Sequence, residues 1–317
     1  MRNFRDFCVT IFRITLFPFF SILYIFEVPR KYWSLKGLTL FAKLSSYYLL
    51  KLRRLPNIRN PVGLNERVQW LKLFDQDKQK IELCDKVEVK KYIDRVSSTY
   101  VKVPRTIAIV KSFDEIKHLN LPERFVVKTN HDSGGVIIVH EGDKFTQQDF
   151  NALKKGLSYD YGDISGEWAY KYIERRIFIE EFIDSPGNRV PDDYKFYCIN
   201  GEVKFCHYIT GRGTGSVSET LIGRNFSDLG VALHPKFKYQ NLKQEKNADW
   251  DSLITAAEEI AKSFKFVRVD LYFIDGLIYF GELTFWPQSG TYRGLGQVEV
   301  EKYLGFDYHA KRPTFYD

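Results

Sequence analysis

The charged residues with the clearest chemistry sit on two arms of one segment near the C-terminus. Residues 267–274 read VRVDLYFI and residues 277–283 read LIYFGEL, with Asp275-Gly276 between them. Asp-Gly between apolar, β-prone runs signals a two-residue hairpin turn. That turn sets Asp270 and Glu282 roughly opposite each other, and Arg268, two residues before Asp270, shares its face of the strand. The neighbours are Val267, Val269, Leu271, Phe280, Leu283 and Phe285, so carboxylates left without a counter-charge there would be costly. A hard divalent cation that also touches phosphate oxygens would answer them, because Mg2+ takes one or two carboxylates plus phosphates. A buried network of arginine and carboxylates is the alternative.

A second group lies nearer the middle. Lys128 ends the apolar run FVVK, and His131-Asp132-Ser133-Gly134-Gly135 follows before the next such run, 136–139. A strand-borne ammonium beside a small Gly-rich turn offers both a cation and backbone N–H groups to an anion. No G-x-x-x-x-G-K-[ST] loop occurs in the chain. Glu180 and Glu181 close the apolar run 177–183. Adjacent strand residues face opposite ways, so at most one of the two serves a shared site. Such a strand can pair its backbone with a purine while one acid takes a ribose or a lysine; a solvated strand end is the plain alternative. No Ser/His/Asp nucleophile set can be assembled.

The elements that must hold these groups read as a mixture. Helical spacing of apolar residues covers 64–74, with Asn65 as a cap and Glu66 in the first turn, and then 83–96. Strand-like stretches at 105–110, 125–128 and 136–139 are followed by helices between 147 and 176, and by the strand 177–183. Asn200-Gly201 joins 193–199 to 203–209 as a hairpin. Residues 211–247 are polar and Gly-rich without clear periodicity, and 250–264 form an amphipathic helix. Strands joined by hairpins rather than by regular βαβ crossovers indicate the α+β class.

The net charge of +7 is unevenly spread. The first 60 residues hold 11 Lys and Arg against Asp6 and Glu27, leaving 36 basic and 38 acidic residues in the remainder. A nucleic-acid binder needs a basic face on its folded domain, so that class is excluded. Anionic lipid suits the N-terminal segment better. Residues 14–26 carry no charge but are bracketed by Arg13 and Glu27 and contain Pro18, which is short for a spanning helix. No A-x-A cleavage site follows. This run and a second, 38–50, are expected to lie on a membrane as interfacial helices with basic rims, or else to pack on the protein itself. Cys8, Cys84, Cys198 and Cys206 form no CxxC pair and no zinc spacing; they are expected to be small buried hydrophobes in a reducing compartment.

Taken together, Lys on a strand, a Gly-rich loop, an acidic strand and an R-x-D…E hairpin resemble the ATP-grasp ligases, the superfamily of D-alanine–D-alanine ligase. The stretches LNERVQWLKLFDQD, KTNHDSGG, DYKFYCINGE and RVDLYFIDGLIYFGELTFWPQSG resemble more closely its TupA-like family, associated with teichuronopeptide synthesis. The resemblance spans about residues 60–290. It implies an ATP-grasp fold, two α+β lobes with a nucleotide between them: a mixed part at 58–124, a first lobe and hinge at 125–184, and a second lobe at 185–317, while the membrane-associated helical segment expected at 1–57 lies outside the resemblance. By position, Lys128 would contact phosphates under a cover of His131, Ser133, Gly134 and Gly135. Glu180, Glu181, Phe182 and Ile183 would hold adenine. Asp193 and Lys195 would reach ribose or phosphates, with Lys86 as a further contact. Asp270, Glu282 and Thr284 would bind Mg2+, although many relatives have Asn where this chain has Thr284. Arg268 would face the reacting carboxylate, and Lys195 would join it in catalysis.

The implied reaction is amide formation through an acyl phosphate, joining a uronic-acid sugar or amino acid to an amine for a surface glycan. The expected location is the cytoplasmic face of the plasma membrane, held peripherally or by a single N-terminal span, with 1–54 dispensable for turnover. Two other classes stay open. A glycosyltransferase could use the D-x-D pairs Asp75/Asp77 and Asp249/Asp251, and a membrane scaffold would bind no ATP.

Overall fold

A computed structural model describes residues 35–131, 135–185, 190–234, 236–242, 248–294 and 300. Helix α1 (Leu35–Leu52) leads to α2 (Gly63–Phe74), α3 (Gln79–Cys84) and α4 (Val89–Val96). Strands β1 (Val101–Lys102) and β2 (Thr106–Val110), the short α5 (Phe113–Lys117), and strands β3 (Phe125–Thr129) and β4 (Val136–Val139) follow. Helices α6 (Gln147–Leu157) and α7 (Tyr161–Ser165) and a 3-10 turn, Trp168–Tyr172, precede β5 (Ile177–Glu181). The remainder is β6 (Asp193–Ile199), β7 (Glu202–Thr210), β8 (Ser218–Gly223), β9 (Lys238–Tyr239), α8 (Ala248–Ala261), β10 (Phe266–Ile274), β11 (Leu277–Thr284) and a closing turn, Pro287–Gly290.

These strands form two sheets, ordered β2-β5-β3-β4 and β1-β11-β10-β6-β7-β8-β9. Each sheet buries one face against a helix. On the small sheet, Phe150 and Leu153 of α6 pack on Val110, Phe125, Val127, Val139, Ile177 and Ile179. A capping box starts α6, with Thr146 and Asp149 each satisfying the other's backbone N–H. On the large sheet, Trp250, Leu253, Ile254 and Ile260 of α8 join Phe196, Val267, Val269 and Leu271 in the main core. Alternation along β10 therefore sends Val267, Val269 and Leu271 into the core and turns Arg268 and Asp270 to the opposite face. Both expected hairpin turns form. Asn200 (φ 50°) with Gly201 (φ 80°) and Asp275 (φ 50°) with Gly276 (φ 77°) hold the left-handed conformations such turns require.

Two boundaries differ from the sequence reading. Strand β2 falls within the 58–124 segment yet pairs with β5, while β1 pairs with β11 of the large sheet. The small lobe thus starts well before residue 125, because a strand's lobe is set by its sheet partner and not by chain order. The second difference is α1. It is packed on the protein: Phe41, Leu44 and Tyr48 are buried, with Phe41 and Leu44 in a cluster that includes Ile58 and Leu73. Its Lys43 ammonium donates to the Gly162 carbonyl at 3.1 Å. The 38–50 stretch therefore turns Phe41, Leu44 and Tyr48 onto protein rather than lipid, with Leu50 left exposed. The 7–28 run lies outside the described residues. Among the described residues, no helix is long and apolar enough to cross a membrane. Cys84, Cys198 and Cys206 are buried free thiols, as small hydrophobes are.

Candidate active site

Because β10 runs between β11 and β6, the ladder places Glu282, Asp270, Lys195 and His207 in one row across the large sheet. Arg268 and Asp193 lie one pleat from that row on the same face. The Arg268 guanidinium forks onto Asp270, its Nε donating to Oδ1 at 2.6 Å and Nη2 to Oδ2 at 2.7 Å. The same Nη2 reaches Glu282 at 2.8 Å and the Thr284 hydroxyl at 2.9 Å. Lys195 pairs with Asp270 at 2.5 Å and with Asp193 at 3.2 Å, and Arg212 also pairs with Asp193. Burial alone would lower the Lys195 pKa, but the Asp270 and Asp193 charges outweigh it and hold Lys195 above its usual range. Next in the row, His207 Nε2 lies 2.5 Å from the buried Glu219 carboxylate. Burial pulls that imidazole down, against the opposing pull of Glu219.

The small sheet contributes a second cluster. Register pairs Lys128 with Phe178 and Val126 with Glu180, so Lys128 and Glu180 share a face and form an ion pair. Lys90 reaches the same carboxylate from α4 at 2.6 Å and also donates to the Pro104 carbonyl at 2.6 Å. Burial would raise the Glu180 pKa, yet the Lys128 and Lys90 charges bring it below the ordinary carboxylate value. Glu181 points the other way and accepts from the Arg105 backbone N–H at 2.9 Å.

Between the sheets lies a cavity of about 350 Å³. Val126, Ile138, Phe182, Ile183 and Val190 give it apolar lining. Lys86, Lys128, Lys195, Arg212, Glu180, Asp193, Asp270 and Glu282 give it charged lining. A second cavity, of about 460 Å³, shares Lys195, Arg212 and Glu282 with the first and continues past Arg268 and Thr284. Its walls carry Tyr47, Tyr159, Tyr170, Phe237, Trp286 and Tyr292.

One wall of that second cavity is a left-handed turn, with φ of 48° at Gln288, 55° at Ser289 and 62° at Gly290. Two side chains from L-residues in that region are strained, so something must hold them. Helix α2 does so with a buried polar face. Gln69 donates to the Ser289 and Gly290 carbonyls at 2.8 and 3.0 Å. Lys72 donates to the Ser289 carbonyl and hydroxyl at 2.9 and 2.8 Å and to the Ser165 carbonyl at 2.8 Å. Asn65 exchanges two bonds with the Tyr292 backbone, at 2.7 and 2.8 Å.

Comparison with known families matches residues 66–307 to the family model described as TupA-like ATPgrasp. The chain belongs to the TupA-like ATP-grasp family. No curated protein matches it significantly. Among solved structures it is similar to the D-alanine–D-alanine ligase from Bacillus anthracis complexed with ATP, at 17% identity and a TM-score of 0.34 over 64% of this chain and 53% of that one. It is similar to an L-amino acid ligase from Bacillus licheniformis at 15% identity and a TM-score of 0.42, over 72% and 50%. For the D-alanine–D-alanine ligase from Helicobacter pylori the values are 13% and 0.38, over 77% and 70%. The chain thus spans about half the length of the first two. These TM-scores are low, and the assignment rests on the family match.

The residues singled out in the sequence divide between the two cavities. Lys86, Lys128, Glu180, Glu181, Phe182, Ile183, Asp193, Lys195, Asp270 and Glu282 all line the smaller cavity. His131 lines the larger cavity. At the base of its loop, Asn130 donates to Asp85 and to the Glu174 carbonyl and accepts from the Arg176 N–H. Gly135 is tied to Thr129 through its carbonyl, and Ser133 and Gly134 lie outside the described residues. Arg268 and Thr284 line the larger cavity. Lys90, Arg212, His207 and the polar face of α2 escaped the sequence reading. Asn65, Gln69 and Lys72 carried one usable signal, polar residues at helical spacing on a face that repeats with Leu64, Val68 and Leu71. The D-x-D pairs line neither cavity: Asp75 pairs with Lys80 at 2.5 Å, and Asp249 and Asp251 sit in the first turn of α8.

Proposed function

We propose that this protein is an ATP-dependent carboxylate–amine ligase, and that it attaches an amino acid or similar amine to a uronic-acid sugar for a cell-surface glycan. The observation that carries the reading is the meeting of the two cavities at Lys195, Arg212 and Glu282. The smaller one suits a nucleotide, with apolar lining for the base and cations for the phosphates. Lys128 and Lys86 take the phosphates, the strand end at Glu181 to Ile183 borders the base, and Glu180 keeps Lys128 and Lys90 in place. The larger cavity, with its aromatic walls and polar tips, suits a hydroxylated ring bearing an acid.

Magnesium fits these charged groups as a site of one or two carboxylates completed by phosphate and water. Asp270 and Glu282 would hold it, and Thr284 would orient Glu282. Among the described residues no group of three or more His, Cys, Asp or Glu gathers to cage a metal, which agrees with a site completed by substrate. Bound there, the ion supplies charge neutralisation at the phosphate oxygens.

The chemistry is phosphoryl transfer followed by acyl transfer. A carboxylate oxygen of the acid bonds to the γ-phosphorus as the bond to the β-phosphate oxygen breaks, releasing ADP. The amine nitrogen then bonds to the activated carbonyl carbon, phosphate leaves, and the nitrogen gives up a proton. Neither step needs a nucleophilic side chain; both need alignment and charge neutralisation. Arg268 and Lys195, held by Asp270, orient the acid at the junction and stabilise charge developing there. The basic, apolar segment 7–31 attaches the enzyme to an anionic membrane surface at the cytoplasmic face.

Hydroxylamine tests the reading, because it intercepts acyl phosphates as hydroxamates. With ATP, Mg2+ and a uronic acid the protein should form hydroxamate and ADP in equal amounts. Hydroxamate-free incubations across uronic acids and amino acids alike would reject it.

A further inference from the structure

We infer that helix α1 is a wall of the larger cavity, and that its Tyr47 and Lys51 determine which acid the enzyme accepts. This rests on the ligase reading above. Both residues precede the 66–307 stretch that matches the family, yet both line the cavity. They lie four residues apart and so share one face of α1, with the Lys51 ammonium 5.5 Å from the centre of the Tyr47 ring.

The helix is seated too closely to be an incidental neighbour. Phe41, Leu44 and Tyr48 are buried. Gly166 adopts φ 74°, and a Cβ there would collide with Leu44. The Tyr47 hydroxyl stands beside the Ser289 and Thr291 side chains, within and just after the left-handed turn held by Gln69 and Lys72. Lys72 itself lies 5.8 Å from the Tyr47 ring centre. Helix α1 and the turn therefore form one continuous wall.

Position in the cavity assigns the role. The reacting carboxylate must lie where both cavities meet, at Lys195, Arg212 and Glu282. Tyr47 and Lys51 line the larger cavity alone, so they meet a different part of the acid. A tyrosine face stacks on the body of a ring, and an ammonium donates to a hydroxyl or carboxylate on it. These are specificity contacts made equally in the ground and transition states, and such contacts act on KM more than on kcat.

The test uses the full chain and hydroxylamine trapping, with D-glucuronate, D-galacturonate and L-glutamate as probes. For the best of these acids, Lys51→Ala should raise the acid KM by about tenfold or more, the size expected for one charge-assisted hydrogen bond. The ATP KM and kcat should stay within about twofold. Tyr47→Ala should behave likewise, and Lys51→Arg should recover most of the loss. Lys43→Ala is the control, since Lys43 sits on the same helix but holds Gly162 and Asp163. An unchanged acid KM in both alanine variants, or a parallel rise in both KM values, overturns the inference. Those results leave the ligase reading standing, whereas a wild-type enzyme that traps no hydroxamate removes both.

Discussion

Asp270 and Glu282 face each other across one hairpin, but their surroundings predict opposite failures when each loses its charge. Asp270 is 1% exposed and takes two bonds from Arg268 and an ion pair from Lys195. Asp270→Asn leaves two buried cations short of a counter-charge, and breaking such a buried pair costs about 3–5 kcal/mol. At roughly 2 °C per kcal/mol for a chain of this size, melting should fall by about 6–10 °C. The Glu282 side chain is 35% exposed and bonds to Arg268 and Thr284 through one oxygen. An amide keeps that oxygen, and a partly exposed pair is worth only about 0–1 kcal/mol, so Glu282→Gln should melt within about 2 °C of wild type. Its turnover should nevertheless fall, and more Mg2+ should be needed for half-maximal ADP release, because the exposed oxygen is the one available to the ion. The assay is calorimetric melting beside Mg2+-titrated ADP release on both variants. A Glu282→Gln enzyme with normal turnover and an unchanged Mg2+ requirement would refute the metal assignment and leave the hairpin a structural network.

Three further outcomes follow from the same geometry. Glu180 has a folded-state pKa below its unfolded value, so its clamp on Lys128 and Lys90 is fully present above the unfolded carboxylate pKa and is lost as pH falls through the lowered one; Glu180→Gln should flatten the acid limb of a melting-temperature profile, and an unaltered limb would remove the clamp from the account. Deleting residues 1–31 keeps α1 and should preserve turnover while abolishing salt-sensitive binding to anionic vesicles, whereas deletion through residue 54 removes α1 and should raise the acid KM or unfold the protein; full activity without α1, or equal vesicle binding by all three chains, would contradict this. Asp77→Asn and Asp251→Asn should leave ADP release unchanged, since neither residue lines a cavity; consumption of a UDP-sugar that either variant abolishes would favour glycosyl transfer.

How much of this was legible in the chain depended on range. Asp275-Gly276 and Asn200-Gly201 announced their hairpins, and the first alone was enough to place Asp270 against Glu282, a pairing the ladder shows directly. The partners that arrive from elsewhere were hidden. Lys90 reaches Glu180 from 90 residues away, and Arg212 meets Asp193 from a segment with no periodicity to read. The polar face of α2 was invisible because the strained turn it holds lies more than 200 residues on. Helix α1 misled for a physical reason: an aromatic, basic-rimmed amphipathic helix suits a lipid surface and a protein groove equally well, and composition does not separate them.

The most direct measurement is a mass-balanced turnover of ATP, Mg2+, a uronic acid and an amino acid, with ADP, phosphate and amide quantified in one sample. The account predicts one ADP and one phosphate per amide, and no ADP without the acid. ADP release that ignores the acid, or amide formation that consumes no ATP, would contradict it.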